Sequence, residues 1–93
     1  MAGLRLEDFE ATVGESWQVE AGGRAVPMRL EAAQSLSRAL RAEGGFRLEW
    51  SGPADPLLPQ GIYRFRRDGR DAEMFIVPVA QAGDGFRYEA IFN

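Results

Sequence analysis

The sequence predicts a mainly β domain: a small antiparallel β-barrel or β-sandwich of about six strands behind a short N-terminal helix. Most of the chain from Trp17 onward alternates apolar and polar residues with period two, the signature of half-buried strands. Glycine, aspartate and proline interrupt that alternation at Gly22-Gly23, Asp68-Gly69 and Gly83-Asp84-Gly85, as tight hairpins require. With 93 residues the chain makes one domain, 1–93, whose core is thin enough for one sheet and one covering layer.

The elements follow in order. Leu6, Phe9 and Val13 recur at helical spacing behind Glu7, Asp8 and Glu10, acids that favour a helix start, and Gly14 stands where a C-cap glycine would. Residues 6–13 are therefore expected to be helical. A two-residue Gly22-Gly23 turn places Val19 opposite Val26 and Trp17 opposite Met28 on one face, with Pro27 opposite Gln18 on the other. Proline donates no ladder hydrogen bond, so the strand from Ala25 to Ala32 is expected at an edge or bulged. Ala33 to Arg41 carries a short helical stripe ended by Gly44-Gly45 and is expected to be a loop with about one helical turn. Phe46, Leu48 and Trp50 alternate with Arg47 and Glu49, giving another half-buried strand.

Residues 51–61 form a proline-rich connection with exposed apolar residues, in which Leu58-Pro59-Gln60-Gly61 suits a type I turn. The Asp68-Gly69 turn pairs Phe65 with Ala72 and Tyr63 with Met74, and on the other face Arg66 with Asp71 and Arg64 with Glu73. Opposite charges at both outward positions support this register. For the last hairpin, a three-residue loop over Gly83-Asp84-Gly85 pairs Ile76 with Phe92 and Ala80 with Tyr88 and gathers the aromatics in one core. It leaves Ile62, Phe75, Val77 and Ile91 on the opposite face, an apolar patch that needs a cover. The simplest cover is the N-terminal helix, laying Leu6, Phe9 and Val13 across it. The alternative is a second copy or another protein, with the helix packed on the Trp17 and Trp50 side.

Composition narrows the chemistry. Hydrophobic residues make up 45% and charged residues 27%, as in ordinary globular proteins. There is no cysteine, so disulfides, zinc thiolates and thiol nucleophiles are excluded. There is no histidine either, which removes the commonest general base and transition-metal ligand. All 11 basic residues are arginine, which excludes Schiff-base chemistry and a lysine-dependent phosphate loop. No catalytic, metal or cofactor residues are expected, and the four serines Ser16, Ser35, Ser37 and Ser51 have nothing to activate them.

A net charge of -3 argues against a general nucleic-acid or anionic-membrane binder. No apolar run reaches the roughly 18 residues of a membrane span, and the acidic start lacks a signal core, so a cytoplasmic location is expected. The tip bearing Arg64, Arg66, Arg67 and Arg70 is a candidate anion site, set against the simpler reading of solvated ion pairs with Asp68, Asp71 and Glu73. Trp17 and Trp50 read as core anchors.

The stretches Leu4-Arg-Leu-Glu-Asp-Phe9, Gly14-Glu-Ser-Trp17, Leu58-Pro-Gln-Gly-Ile-Tyr63, Phe75-Ile-Val-Pro78 and Gly85-Phe-Arg-Tyr-Glu-Ala-Ile-Phe-Asn93 together resemble an uncharacterised family of small bacterial proteins. The resemblance covers nearly the whole chain and implies a stand-alone domain with no assigned activity. Such proteins are associated with neighbours similar to phage-tail-collar fibre proteins, which implies an accessory or assembly role. The expected function is accordingly a non-enzymatic protein-interaction or assembly module whose partner is another protein or a second copy. The alternative is a small-ligand barrel with a mouth lined by Trp17, Trp50, Tyr63 and Tyr88.

Overall fold

The computed structural model describes residues 4–36 and 45–92. Its elements run α1 (Glu7–Glu10), β1 (Ser16–Ala21), β2 (Arg24–Ser35), β3 (Phe46–Pro53), β4 (Gly61–Arg67), β5 (Arg70–Ala82) and β6 (Gly85–Phe92). The six strands close into an antiparallel barrel in the order β1-β2-β3-β6-β5-β4, so the barrel form of the predicted fold is the one adopted. Closure is what a short chain of alternating strands achieves when it has too little material for a second sheet, and it removes the exposed sheet edges.

The first two hairpins have the predicted registers, Val19 with Val26 and Trp17 with Met28, then Phe65 with Ala72 and Tyr63 with Met74. Their turn residues all have positive φ, 57° and 81° at Gly22 and Gly23 and 49° and 79° at Asp68 and Gly69, the type I′ geometry that matches strand twist. Such a turn makes Ala21–Arg24 the first hydrogen-bonded pair, so Gln18–Pro27 three steps on is a non-bonded one. The Pro27 nitrogen then points away from β1, where β2 has no second neighbour, because β3 joins only at Arg29. Proline thus occupies a local edge, and the bulge lies further along, between Leu30 and Ala32.

Other expectations are corrected. The helix is shorter than 6–13, because beyond Glu10 the backbone tightens into turns, with Thr12 N–H donating to Phe9 O at 2.9 Å and the Thr12 hydroxyl donating to the same oxygen. Ala33 to Ser35 are not loop but the end of β2, paired with Phe46 to Leu48; residues 37–41 of that expected loop lie outside the described residues. The short helical stripe misled because β2 alternates imperfectly after its bulge. Ser51 to Pro53 likewise continue β3, and in the connection that follows Leu58 is buried while Leu57 is exposed.

The last hairpin turns on Gly83-Asp84, pairing Ala82 with Gly85, not on a three-residue loop. A bulge between Pro78 and Ala80 then shifts the register, so that Pro78 faces Tyr88 and Val77 faces Glu89. The expected pairs of Ile76 with Phe92 and Ala80 with Tyr88 are off by two residues and by one. A two-residue slip preserves sidedness, which is why Tyr88 and Ala90 still point into the core and Ile91 outward.

The interior is filled by aromatics. Trp17 and Trp50 meet edge to face at 6.0 Å, Trp50 lies 4.6 Å from Phe65, and all three are buried together with Tyr88. The Trp50 indole N–H is enclosed there without a partner. Phe9 of α1 is fully buried, 5.5 Å from Trp17 and 6.1 Å from Phe46, so the helix plugs one end of the barrel. This overturns the expectation that it covers Ile62, Phe75, Val77 and Ile91. The reason is energetic: a phenylalanine buries more apolar area inside an open barrel end than flat against an outer wall.

The two halves of the chain are related by an approximate two-fold. β1-β2-β3 and β4-β5-β6 each consist of a short strand, a type I′ turn, a long bulged strand and a third strand, and β1 pairs with β4 as β3 pairs with β6. The Phe46-Arg-Leu-Glu-Trp50 and Phe86-Arg-Tyr-Glu-Ala90 segments occupy equivalent places, with Glu49 directly opposite Glu89. Their arginines answer each other: Arg47 reaches Glu89 at 3.0 Å and Arg87 reaches Glu49 at 2.7 Å. The segment preceding each half caps one barrel end, with Phe9 at one and Leu58 at the other. Trp17 and Tyr63, at matching positions, tie those segments down: Trp17 Nε1 donates to Thr12 Oγ1 at 3.2 Å, and Tyr63 O–H donates to Pro59 O at 2.7 Å.

Candidate interaction face

On the outer wall of the second half, Ile62 of β4 lies directly opposite Phe75 of β5. The β5–β6 pairs end at Val77–Glu89, and Ile91, two residues further along β6, faces the same outer side. The three make an apolar row on the outer side of three neighbouring strands, β4, β5 and β6. They are 70%, 50% and 46% exposed respectively, and Val79 at the β5 bulge adds another exposed side chain at 52%. Val77, two residues along from Phe75, points to the same side but is half-buried. No segment among the described residues lies over the row.

The rim is charged and internally paired. Arg64 and Glu73 meet at 3.4 Å on one side, and Arg47, which neighbours Ile91 on β3, is held by Glu89 and by Gln34 at 2.6 Å on the other. Arg87 donates to Glu49 at 2.7 Å, and that hydrogen bond holds the guanidinium above its ordinary pKa.

The two-fold identifies the counterpart of the row in the first half. Ser16 faces Arg29, and Arg29 faces Ser51, in the places of Ile62, Phe75 and Ile91. There the wall is polar: the Ser51 hydroxyl donates to Glu31 at 2.6 Å, Arg29 lies 4.0 Å from Glu31, and Arg29 Nε donates to Gly14 O at 3.2 Å. One fold position is thus filled by a solvated polar triplet in one half and by an apolar triplet in the other.

The arginine tip is brought together but each member is occupied. Arg66 contacts Glu20 at 2.9 Å and Asp71 at 3.4 Å; Arg67 pairs with Glu15 and donates to Ser16 O at 2.9 Å; Arg70 donates to Asp8 O at 3.1 Å. A surface groove of about 590 Å³ runs past Arg66 and Arg67, lined equally by Glu20, Asp68 and Asp71. The residues named for a ligand-binding mouth do not meet around a space. Trp17, Trp50 and Tyr88 are packed into the core, Tyr88 O–H accepts from Leu58 N–H at 2.9 Å, and only Tyr63 reaches solvent. Burial, with Tyr88 adding to it, pushes the Tyr63 phenol above its usual pKa. A cleft of about 160 Å³ lies beside α1 over Phe9, Trp17 and Ala72. Among the described residues no cluster of acidic side chains is arranged to hold a metal, and no helix is long and apolar enough to cross a membrane.

What the sequence reading missed is the internal two-fold. The repeated Phe-Arg-x-Glu of 46–49 and 86–89, with the two hairpin turns 46 residues apart, was the available signal.

Fold and surface together define a small closed β-barrel domain, filled with aromatics and bearing an apolar wall that none of the described residues covers. The chain belongs to the family described as a domain of unknown function, DUF6916, whose family model matches residues 4–92. No curated protein and no solved structure matches it.

Proposed function

We propose that the domain is a non-enzymatic protein-interaction or assembly module that docks through the row of Ile62, Phe75 and Ile91, with Val77 and Val79 at its margin. The observation that carries this reading is the contrast between equivalent walls. Ser16, Arg29 and Ser51 hold the same backbone positions in the same barrel, so the fold itself does not require apolar side chains there. Leaving three such residues 46–70% exposed forgoes part of a burial worth about 1.5–3 kcal/mol each when complete. A partner recovers it. The lack of histidine, lysine and cysteine supports a role without catalysis. The filled interior supports docking on the wall over capture of a small ligand inside the barrel, which would need a cavity of roughly 300 Å³ or more. An accessory role beside fibre proteins of the phage-tail-collar type rests on the family resemblance.

The test is capture by the immobilised domain from its native cell extract, compared with a variant carrying Ile62→Ser, Phe75→Arg and Ile91→Ser. The wild type is expected to retain protein, its own chain included, that the variant releases. Identical retention by both sinks the proposal.

A further inference from the structure

We infer that the occupant of the apolar row is a second copy of this chain, packed wall to wall across a two-fold. The inference rests on the interaction reading above and names the partner for that same face. The common modes of recognition narrow the choice. The row lies on the outer wall of a closed barrel; β4 is free on its β1 side only at Gly61 to Tyr63, beyond the Glu20–Arg64 pair, an edge too short for strand addition, and the flat wall offers no groove for a helix. What fits such a wall is another sheet face.

Three properties make that face this one. An apolar row meets itself when a copy is turned by 180° about an axis along the row, so the isologous contact sets Ile62 on Ile62 and apolar on apolar throughout. The rim has no net charge: Arg64 is balanced by Glu73 at 3.4 Å and Arg47 by Glu89 at 3.0 Å. Two copies therefore meet at this face without like charges opposed across it, while a strongly acidic or basic partner finds no unpaired charge on it. The area is also of the right order. Ile62, Phe75, Val79 and Ile91, at 70%, 50%, 52% and 46% exposure, present roughly 400 Å² of apolar surface. About 800 Å² per partner is the standard interface size, a little over half of it non-polar, so the row supplies the apolar centre and the paired charges the rim.

The chain contains no cysteine, which permits a direct test on the whole protein. Sedimentation equilibrium of the wild type is expected to give twice the 10.3 kDa chain mass, and Phe75→Arg to weaken association about 100-fold while leaving the circular dichroism unchanged. In parallel, Ile62→Cys and its two-fold counterpart Ser16→Cys are oxidised under identical mild conditions. Ile62→Cys should cross-link into a covalent dimer at least ten times faster. A monomeric wild type at several hundred micromolar, or equal cross-linking from both positions, overturns the inference. If the wild type is monomeric but the triple-variant capture experiment still loses a foreign protein, the second copy is refuted and the interaction reading survives; if capture is also unchanged, both fall.

Discussion

The two halves of this barrel solve the same geometric problem with different surfaces. In the first, Ser16, Arg29 and Ser51 form a wall whose groups bond one another, Glu31 and Gly14. In the second, Ile62, Phe75 and Ile91 occupy the matching places with no such partners. The interiors show no such divergence, because both halves bury apolar side chains at every inward strand position that reaches the middle of the barrel. Packing holds the inside of the two halves to a common rule. The outside is free to differ, and a difference confined to it reports on what the surface meets.

The largest expected effect compares the two plugs. Phe9→Ala, which empties one barrel end against Trp17 and Phe46, should cost about 3–5 kcal/mol in urea unfolding, and Leu58→Ala at the opposite end about 2–5 kcal/mol. A loss under 1 kcal/mol for Phe9→Ala would mean that α1 is an accessory to the barrel and not its lid.

Next comes the crossing between β3 and β6. Gly52 and Gly85 approach so closely that a Cβ on Gly85 would run into the Gly52 carbonyl oxygen, and one on Gly52 would press on Met28 and Tyr88 at 3.3 Å. Gly85→Ala should therefore cost about 1–3 kcal/mol through strand displacement. Gly61→Ala, where a Cβ meets nothing closer than Tyr63 at 3.7 Å, should be milder, and the difference in melting temperature between the two measures how tightly the strands are held.

Exchanging the walls sharpens the comparison directly. The triple variant Ile62→Ser, Phe75→Arg, Ile91→Ser should change the stability of the monomer by no more than about 0.5 kcal/mol per site, because the first half already folds with those residues. A cooperative loss of several kcal/mol would show that the apolar wall serves the fold. Smaller still are the twin ion pairs. Double-mutant cycles on Arg47 with Glu89 and on Arg87 with Glu49 should each return about 0.2–1 kcal/mol, fading in salt, and the reversal of Arg64 with Glu73 should recover most of what either single change removes.

The smallest effect belongs to Tyr63, whose folded-state pKa is raised by burial. The folded protein holds that proton more tightly than the unfolded chain, so the associated stability is intact below the usual value of 10.0 and declines as pH rises through the folded-state pKa. A Tyr63→Phe variant should show a flatter alkaline limb.

Much of this was legible in the sequence because tight turns are local. Gly22-Gly23 and Asp68-Gly69 specify their turn type by themselves, and alternation then fixed which residues face inward, including Trp17, Val19, Phe65 and Met74. The last hairpin was misread by a residue at the turn and by two beyond it, since the bulge before Ala80 depends on how β5 bends from β4 to β6, a contact the local sequence does not encode. The patch was the first choice of destination for α1 for the same reason, and the helix lies instead on the Trp17 side given as the alternative. An amphipathic stripe states that it must be buried and not where, and the open barrel end exists only after closure. The apolar row was read from period and register alone, although the contrast that gives it meaning needed the two-fold.

Closure itself rests on few links. β1 and β4 are joined by three residue pairs, Gln18 with Arg66, Val19 with Phe65 and Glu20 with Arg64, whereas β3 and β6 share eight. The 2.9 Å bridge from Arg66 to Glu20 fastens that short seam from outside, where water screens it. Thermal opening should begin there, with the barrel unzipping into a curled six-stranded sheet while the opposite junction holds. Amide hydrogens along Gln18 to Glu20 would then exchange with solvent before those of Leu48 to Trp50, and for the duration of each opening Val19 and Phe65 become the terminal rungs of an unpaired edge.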